Sequence, residues 1–70
     1  MSNHNNEVIM EGLADEFYDD PKQCIEWICL WEAQNGEQID VLKFRDSILA
    51  LSLEQQCEFY VNKSIEVMSS

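Results

Sequence analysis

Positive charge is scarce in this sequence. Four lysines and arginines face fourteen acids, giving a net charge of −10 and a pI near 4.1. Such a chain repels nucleic-acid phosphates and anionic lipid head groups, so direct nucleic-acid or membrane-surface binding is not expected. Histidine occurs once, as His4, in an opening stretch (Met1-Ser2-Asn3-His4-Asn5-Asn6-Glu7) that reads as a flexible polar tail over residues 1–6. A catalytic Ser-His-Asp or Cys-His arrangement would require that tail to fold back into a cleft. Glycine occurs only as Gly12 and Gly36, so no glycine-rich phosphate loop exists. The spacings CxxC and HExxH are missing, as is a D-x-D-x-D-G calcium loop. No catalytic, cofactor or metal site is therefore expected, and the chain reads as a binder rather than an enzyme.

The cysteines are few and odd in number: Cys24, Cys29 and Cys57. An odd count argues against a disulfide framework and for buried, reduced thiols. Cys24 and Cys29 are five residues apart, about 140° around a helix, so they do not converge on one metal. Apolar runs are short: the stretch around Ile28-Cys29-Leu30-Trp31 falls far below the roughly 20 residues of a spanning helix. The opening residues lack the basic region and apolar core of a secretory leader and the glycine that myristoylation needs. A cytoplasmic protein without membrane attachment is the expectation.

What is present is enough to fold. Hydrophobic residues make up 46% of the 70 positions, too many for a disordered acidic tail. A chain of this length forms one domain, and it hides only roughly 60% of the surface its unfolded form exposes. Stability is then marginal unless a disulfide, a metal or a partner chain adds to it.

The apolar spacing predicts a small all-α bundle of four short helices over residues 7–68. A first helix, capped by Asn5 or Asn6, presents Met10, Leu13, Ala14, Phe17 and Tyr18 on one face and stops near Asp19. Asp20-Pro21 is an N-cap followed by proline at the first helical position, with Gln23 placed as a capping-box partner. This second helix runs to about Gln34, where Asn35-Gly36 offers a glycine for the left-handed C′ position. A third spans about Ile39 to Leu51, with Val41, Phe44, Ile48 and Leu51 in period. Ser52, with Gln55 three residues on, caps a fourth that buries Leu53, Cys57, Tyr60, Val61, Ile65 and Met68. The competing fold is α+β. Asn-Gly is also a favoured hairpin turn, which would pair residues 27–34 with 37–44 as strands.

Two surfaces stand out. Glu7, Glu11, Asp15 and Asp19 recur at four-residue steps along the first helix, and Glu16 and Asp20 widen the stripe. Side chains at that spacing lie about 5–6 Å apart on one face. No lysine or arginine occurs in the first 21 residues, whereas an ordinary solvated face mixes both signs. Such a row of carboxylates suits a basic protein surface, including one that normally holds DNA or RNA. The second surface is the second helix, apolar nearly all round, from which Trp27, Leu30 and Trp31 offer an interface. Phe59 joins them as an aromatic off the fourth helix's buried stripe.

The function these features favour is a small acidic protein-binding module. Its sharpest form is an inhibitor that mimics nucleic acid and occupies its target's basic surface. Phage- and plasmid-encoded antagonists of host enzymes share this size and charge class, but no motif assigns a family. The alternative is a self-associating structural or adaptor subunit, a homodimer sealed by the apolar surface of the second helix.

Overall fold

Short-range capping interactions set most of the helix ends. The computed structural model describes residues 2–36 and 40–69. Its helices are α1 (Ser2–Asp19), α2 (Pro21–Asn35), α3 (Val41–Leu49) and α4 (Leu53–Ser69). The Asp20 side chain accepts a hydrogen bond from the Gln23 N–H at 3.2 Å and caps α2, with Pro21 in the first turn. Ser52 and Gln55 form a complete capping box at the start of α4. The Gln55 N–H donates to Ser52 Oγ, and the Ser52 N–H donates to Gln55 Oε1, both at 3.2 Å.

Several helix ends differ from expectation, and α3 closes at Leu49, with Ala50 as its C-cap, rather than at Leu51. The α1 backbone is helical from Ser2 rather than from Asn5 or Asn6. No proline or glycine interrupts residues 2–11, and serine or asparagine costs at most about 0.7 kcal/mol per residue relative to alanine, so the ladder extends back. Helix α3 starts at Val41, because Asp40 caps it by accepting from the Leu42 and Lys43 N–H groups at 3.1 and 3.3 Å. The expected start at Ile39 lies outside the described residues. Gly36 is extended (φ −83°, ψ 166°) rather than left-handed. Its glycine is required for another reason. Its N–H approaches the Glu32 carbonyl at 2.7 Å, and a Cβ there would sit 2.6 Å from that oxygen. The hairpin is thereby excluded. Residues 27–34 lie within α2 and 41–44 within α3, with no strand among the described residues.

Helix α2 packs against α1, α3 and α4, and α1 also packs along α4. Phe17, Ile28 and Ile48 are the large side chains fully buried at these junctions, joined by Cys24, Ile25, Cys29, Cys57, Tyr60 and Val61. Tyr18 lies by Cys57 early in α4, while Leu13 shares a groove with Val67 and Met68 at its end, so α1 and α4 run antiparallel. The Cα extents are 39 × 25 × 16 Å. The thin dimension admits only two layers of helices spaced roughly 8–10 Å apart, so each helix keeps a face toward water.

The buried face of α4 is rotated from the expected stripe. Gln56, Cys57, Tyr60, Val61 and Ser64 are buried and Ile65 half-buried, while Leu53 and Met68 are exposed at the two ends of the helix. Gln56 is satisfied by donating from Nε2 to the Leu51 carbonyl at 2.9 Å. Met10 and Tyr18 of α1, and Leu51 after α3, are likewise exposed rather than core.

Candidate protein-binding surface

Helix α1 carries its acids outward. Phe17 is buried and Leu13 and Ala14 are half-buried, which fixes the inward direction. Glu7, Glu11, Asp15, Glu16, Asp19 and Asp20 are all exposed. Of these, Asp20 is occupied as the α2 cap. The ion pairs of the described residues lie elsewhere: Arg45 with Glu26, and Lys63 with Glu32 at 2.6 Å and Glu66 at 3.3 Å. Two of the four cations, Arg45 and Lys63, are thus drawn to acids of α2 and α4, and the α1 carboxylates take no part in these pairs. Solvent and salt screen their field.

The apolar circumference of α2 is used mostly within the chain. Cys24, Ile25, Ile28 and Cys29 are buried, which leaves Leu30 59% exposed on the outer face and Trp27 37% exposed beside it. Trp31 is half-buried under the Lys63 ammonium, which sits 5.2 Å from the ring centroid. Phe59 is half-buried, not free. It meets Phe44 of α3 edge-on at 6.0 Å between ring centres. The four candidate interface residues therefore do not form one patch of exposed rings.

The thiols are free and buried. Burial pushes Cys24 and Cys29 above their ordinary range, with Arg45 partly opposing the shift at Cys29. Cys24 Sγ donates to the Glu16 carbonyl at 3.7 Å. Tyr60, hydrogen-bonded to Cys24 and Ser64, is pushed up to about 12, first by burial and then by the Cys24 contact. This arrangement holds protons on its groups at neutral pH, so it offers little thiolate for nucleophilic attack. Among the described residues, no three histidine, cysteine or carboxylate side chains are grouped to hold a metal ion, and no helix is long and apolar enough to cross a membrane.

One feature was not legible in the sequence. Between α1 and α4 runs a groove of about 480 Å³ in which Tyr18 faces Glu54 and Glu58 of α4. The four-residue spacing of those two glutamates was the available signal, but it pointed to no neighbour. Together, fold and surface define a small all-α bundle with an uncompensated acidic helix. Comparison with known proteins found no family model, curated protein or solved structure that matches the chain.

Proposed function

We propose that this chain is a small acidic protein-binding module that acts by occupying a partner's basic surface, as an inhibitor competing there with nucleic acid. The observation that carries the reading is the exposure of the five α1 acids and of Asp20 beside them, while the ion-pairing cations Arg45 and Lys63 meet acids of α2 and α4. A field of one sign steers a basic partner into contact and weakens as salt rises. Like charges at i, i+4 cost each helix pair a few tenths of a kcal/mol. A surface that folding alone would disfavour is accounted for when binding requires it. On this reading the chain binds a protein rather than catalysing a reaction.

The test is a low-salt capture from source-cell lysate on the immobilised protein, beside the variant Glu11→Gln/Asp15→Asn/Asp19→Asn. A nucleic-acid-binding protein held by the native chain, released at moderate salt and lost from the variant is the expected result. The recovered protein should also release a fluorescent oligonucleotide when the native chain is added. Equal capture by both chains, or no competition with the oligonucleotide, sinks the proposal.

A further inference from the structure

Three grooves among the described residues differ in the charge of their rims. One of about 310 Å³ is bordered by Lys22 and Arg45. Another, of about 420 Å³, has Trp27 and Met68 in its walls and a single acid, Glu16. The third is the α1–α4 groove of about 480 Å³. Its floor is Ala14, Tyr18 and Val61, and its rim is Glu11, Glu54 and Glu58, with no base among its lining residues. Met10 extends the apolar wall at the far end. Tyr18 and Met10 are 51% and 42% exposed, so this apolar surface is open to water rather than closed by the chain itself.

We infer that the α1–α4 groove receives an amphipathic helix of a partner protein, with its apolar stripe on Ala14, Tyr18 and Val61 and its lysines or arginines against Glu11, Glu54 and Glu58. The inference rests on the proposed function and specifies how the partner is held. Charge complementarity selects the occupant. An apolar floor takes up side chains recurring at i, i+4 and i+7, and a rim of carboxylates alone favours cations beside that stripe. The length agrees. Met10 to Tyr18 spans about 12 Å of helix, a little over two turns, which matches three anchors on a docked helix. The volume lies within the roughly 300–1,000 Å³ of ligand-sized sites. The outer α1 acids Asp15 and Asp19 then act at a distance, guiding approach, while the groove supplies the fit.

The probes are three fluorescein-labelled 18-residue peptides. The first has leucines in a helical stripe and lysines elsewhere. The second has the same composition scrambled so that no stripe forms. The third has lysine and glutamine without leucine. Anisotropy reads affinity, and amide shifts in ¹⁵N-labelled protein locate the contact. The striped peptide should bind at least tenfold tighter than the scrambled one and move the amides of Ala14, Tyr18, Val61 and Asn62. Glu54→Gln/Glu58→Gln should weaken it about fivefold. Asn62→Lys, at an exposed α4 position, should do the same without touching the core. If all three peptides bind alike and only Asp15, Glu16 and Asp19 respond, the groove inference fails while the acidic-surface reading stands. If none binds even at low salt, both fail. Sedimentation as a dimer with these groove amides protected would assign the groove to a second copy and overturn the inference.

Discussion

Helices α1 and α2 are adjacent in sequence and similar in length, yet their acids have opposite fates. Glu26 and Glu32 of α2 meet cations, Arg45 from α3 and Lys63 from α4, because α2 lies among three other helices. The acids of α1 are exposed and take no part in these ion pairs, with Glu11 and Glu16 at the edges of grooves and the others on the outer face. The packing differs in the same way. Helix α2 buries four side chains, Cys24, Ile25, Ile28 and Cys29, whereas among the described side chains of α1 Phe17 is buried and Leu13 and Ala14 are half-buried. One helix is held by its surroundings. The other is held at a few points and displays the rest, which suits a presented surface.

The largest effect should come from removing the residue that anchors α1. Phe17 packs on Tyr60 at 6.0 Å between ring centres and is wholly buried, so Phe17→Ala is expected to cost about 4 kcal/mol. In a domain this small that loss unfolds much of the population. Leu30→Ala, on the exposed face of α2, should change stability by less than about 0.5 kcal/mol. Urea titration followed by circular dichroism compares the two. Equal losses would mean that α2's outer face is covered in solution, and would favour the self-associating alternative.

Next in size is the α2–α4 pairing. Lys63 and Glu32 are each only 15% exposed, so Lys63→Met leaves a poorly solvated carboxylate and should cost about 2 kcal/mol. The pair also has a pH signature. The Lys63 ammonium is held above its ordinary 10.5, chiefly by its hydrogen bond to Glu32. Cys24, Cys29 and Tyr60 are likewise raised, Tyr60 to about 12. All four groups bind protons more tightly folded than unfolded. Their stabilisation is complete below the unfolded values and is lost as pH rises through the folded ones. Thermal midpoints should therefore fall progressively from about pH 9 upward, and less steeply in Lys63→Met. A native chain with a flat alkaline profile would contradict these placements.

The two glycines sharpen the comparison at a smaller scale. Gly12 lies in the interior of α1, and a Cβ added there would meet nothing within 4 Å, so Gly12→Ala should stabilise by about 0.8 kcal/mol. Gly36 closes α2 against the Glu32 carbonyl, and Gly36→Ala should destabilise by about 1–2 kcal/mol. Denaturation midpoints moving in opposite directions are expected, and movement in the same direction would refute the account of Gly36. Smallest is the neutralised variant Glu11→Gln/Asp15→Asn/Asp19→Asn. Relieving the repulsion should raise stability by about 0.5 kcal/mol, an increase that disappears at high salt.

The sequence by itself determined what depends on neighbours three or four residues away. The caps at Asp20 and Ser52, the proline entry to α2, the helical periods and the continuous acid ladder of α1 are all of this kind, because capping and i, i+4 spacing are local. The Asp40 cap of α3 is equally local, yet the apolar period placed the start at Ile39 and only the structure shows the aspartate side chain on the Leu42 and Lys43 N–H groups. Tertiary structure alone decided which apolar positions are covered. Tyr18, Leu53 and Met68 fit helical stripes yet lie in water, Phe59 leaves its stripe yet meets Phe44, and Gln56 and Ser64 are buried among apolar groups. It also sent Lys63 to Glu32 across 31 positions of chain and brought Glu54 and Glu58 to Tyr18 across the groove. The physical reason is one of range. Helix formation is settled within a turn or two, whereas burial and ion pairing depend on how the helices pack against one another, and a bundle two layers thick leaves much of each helix uncovered.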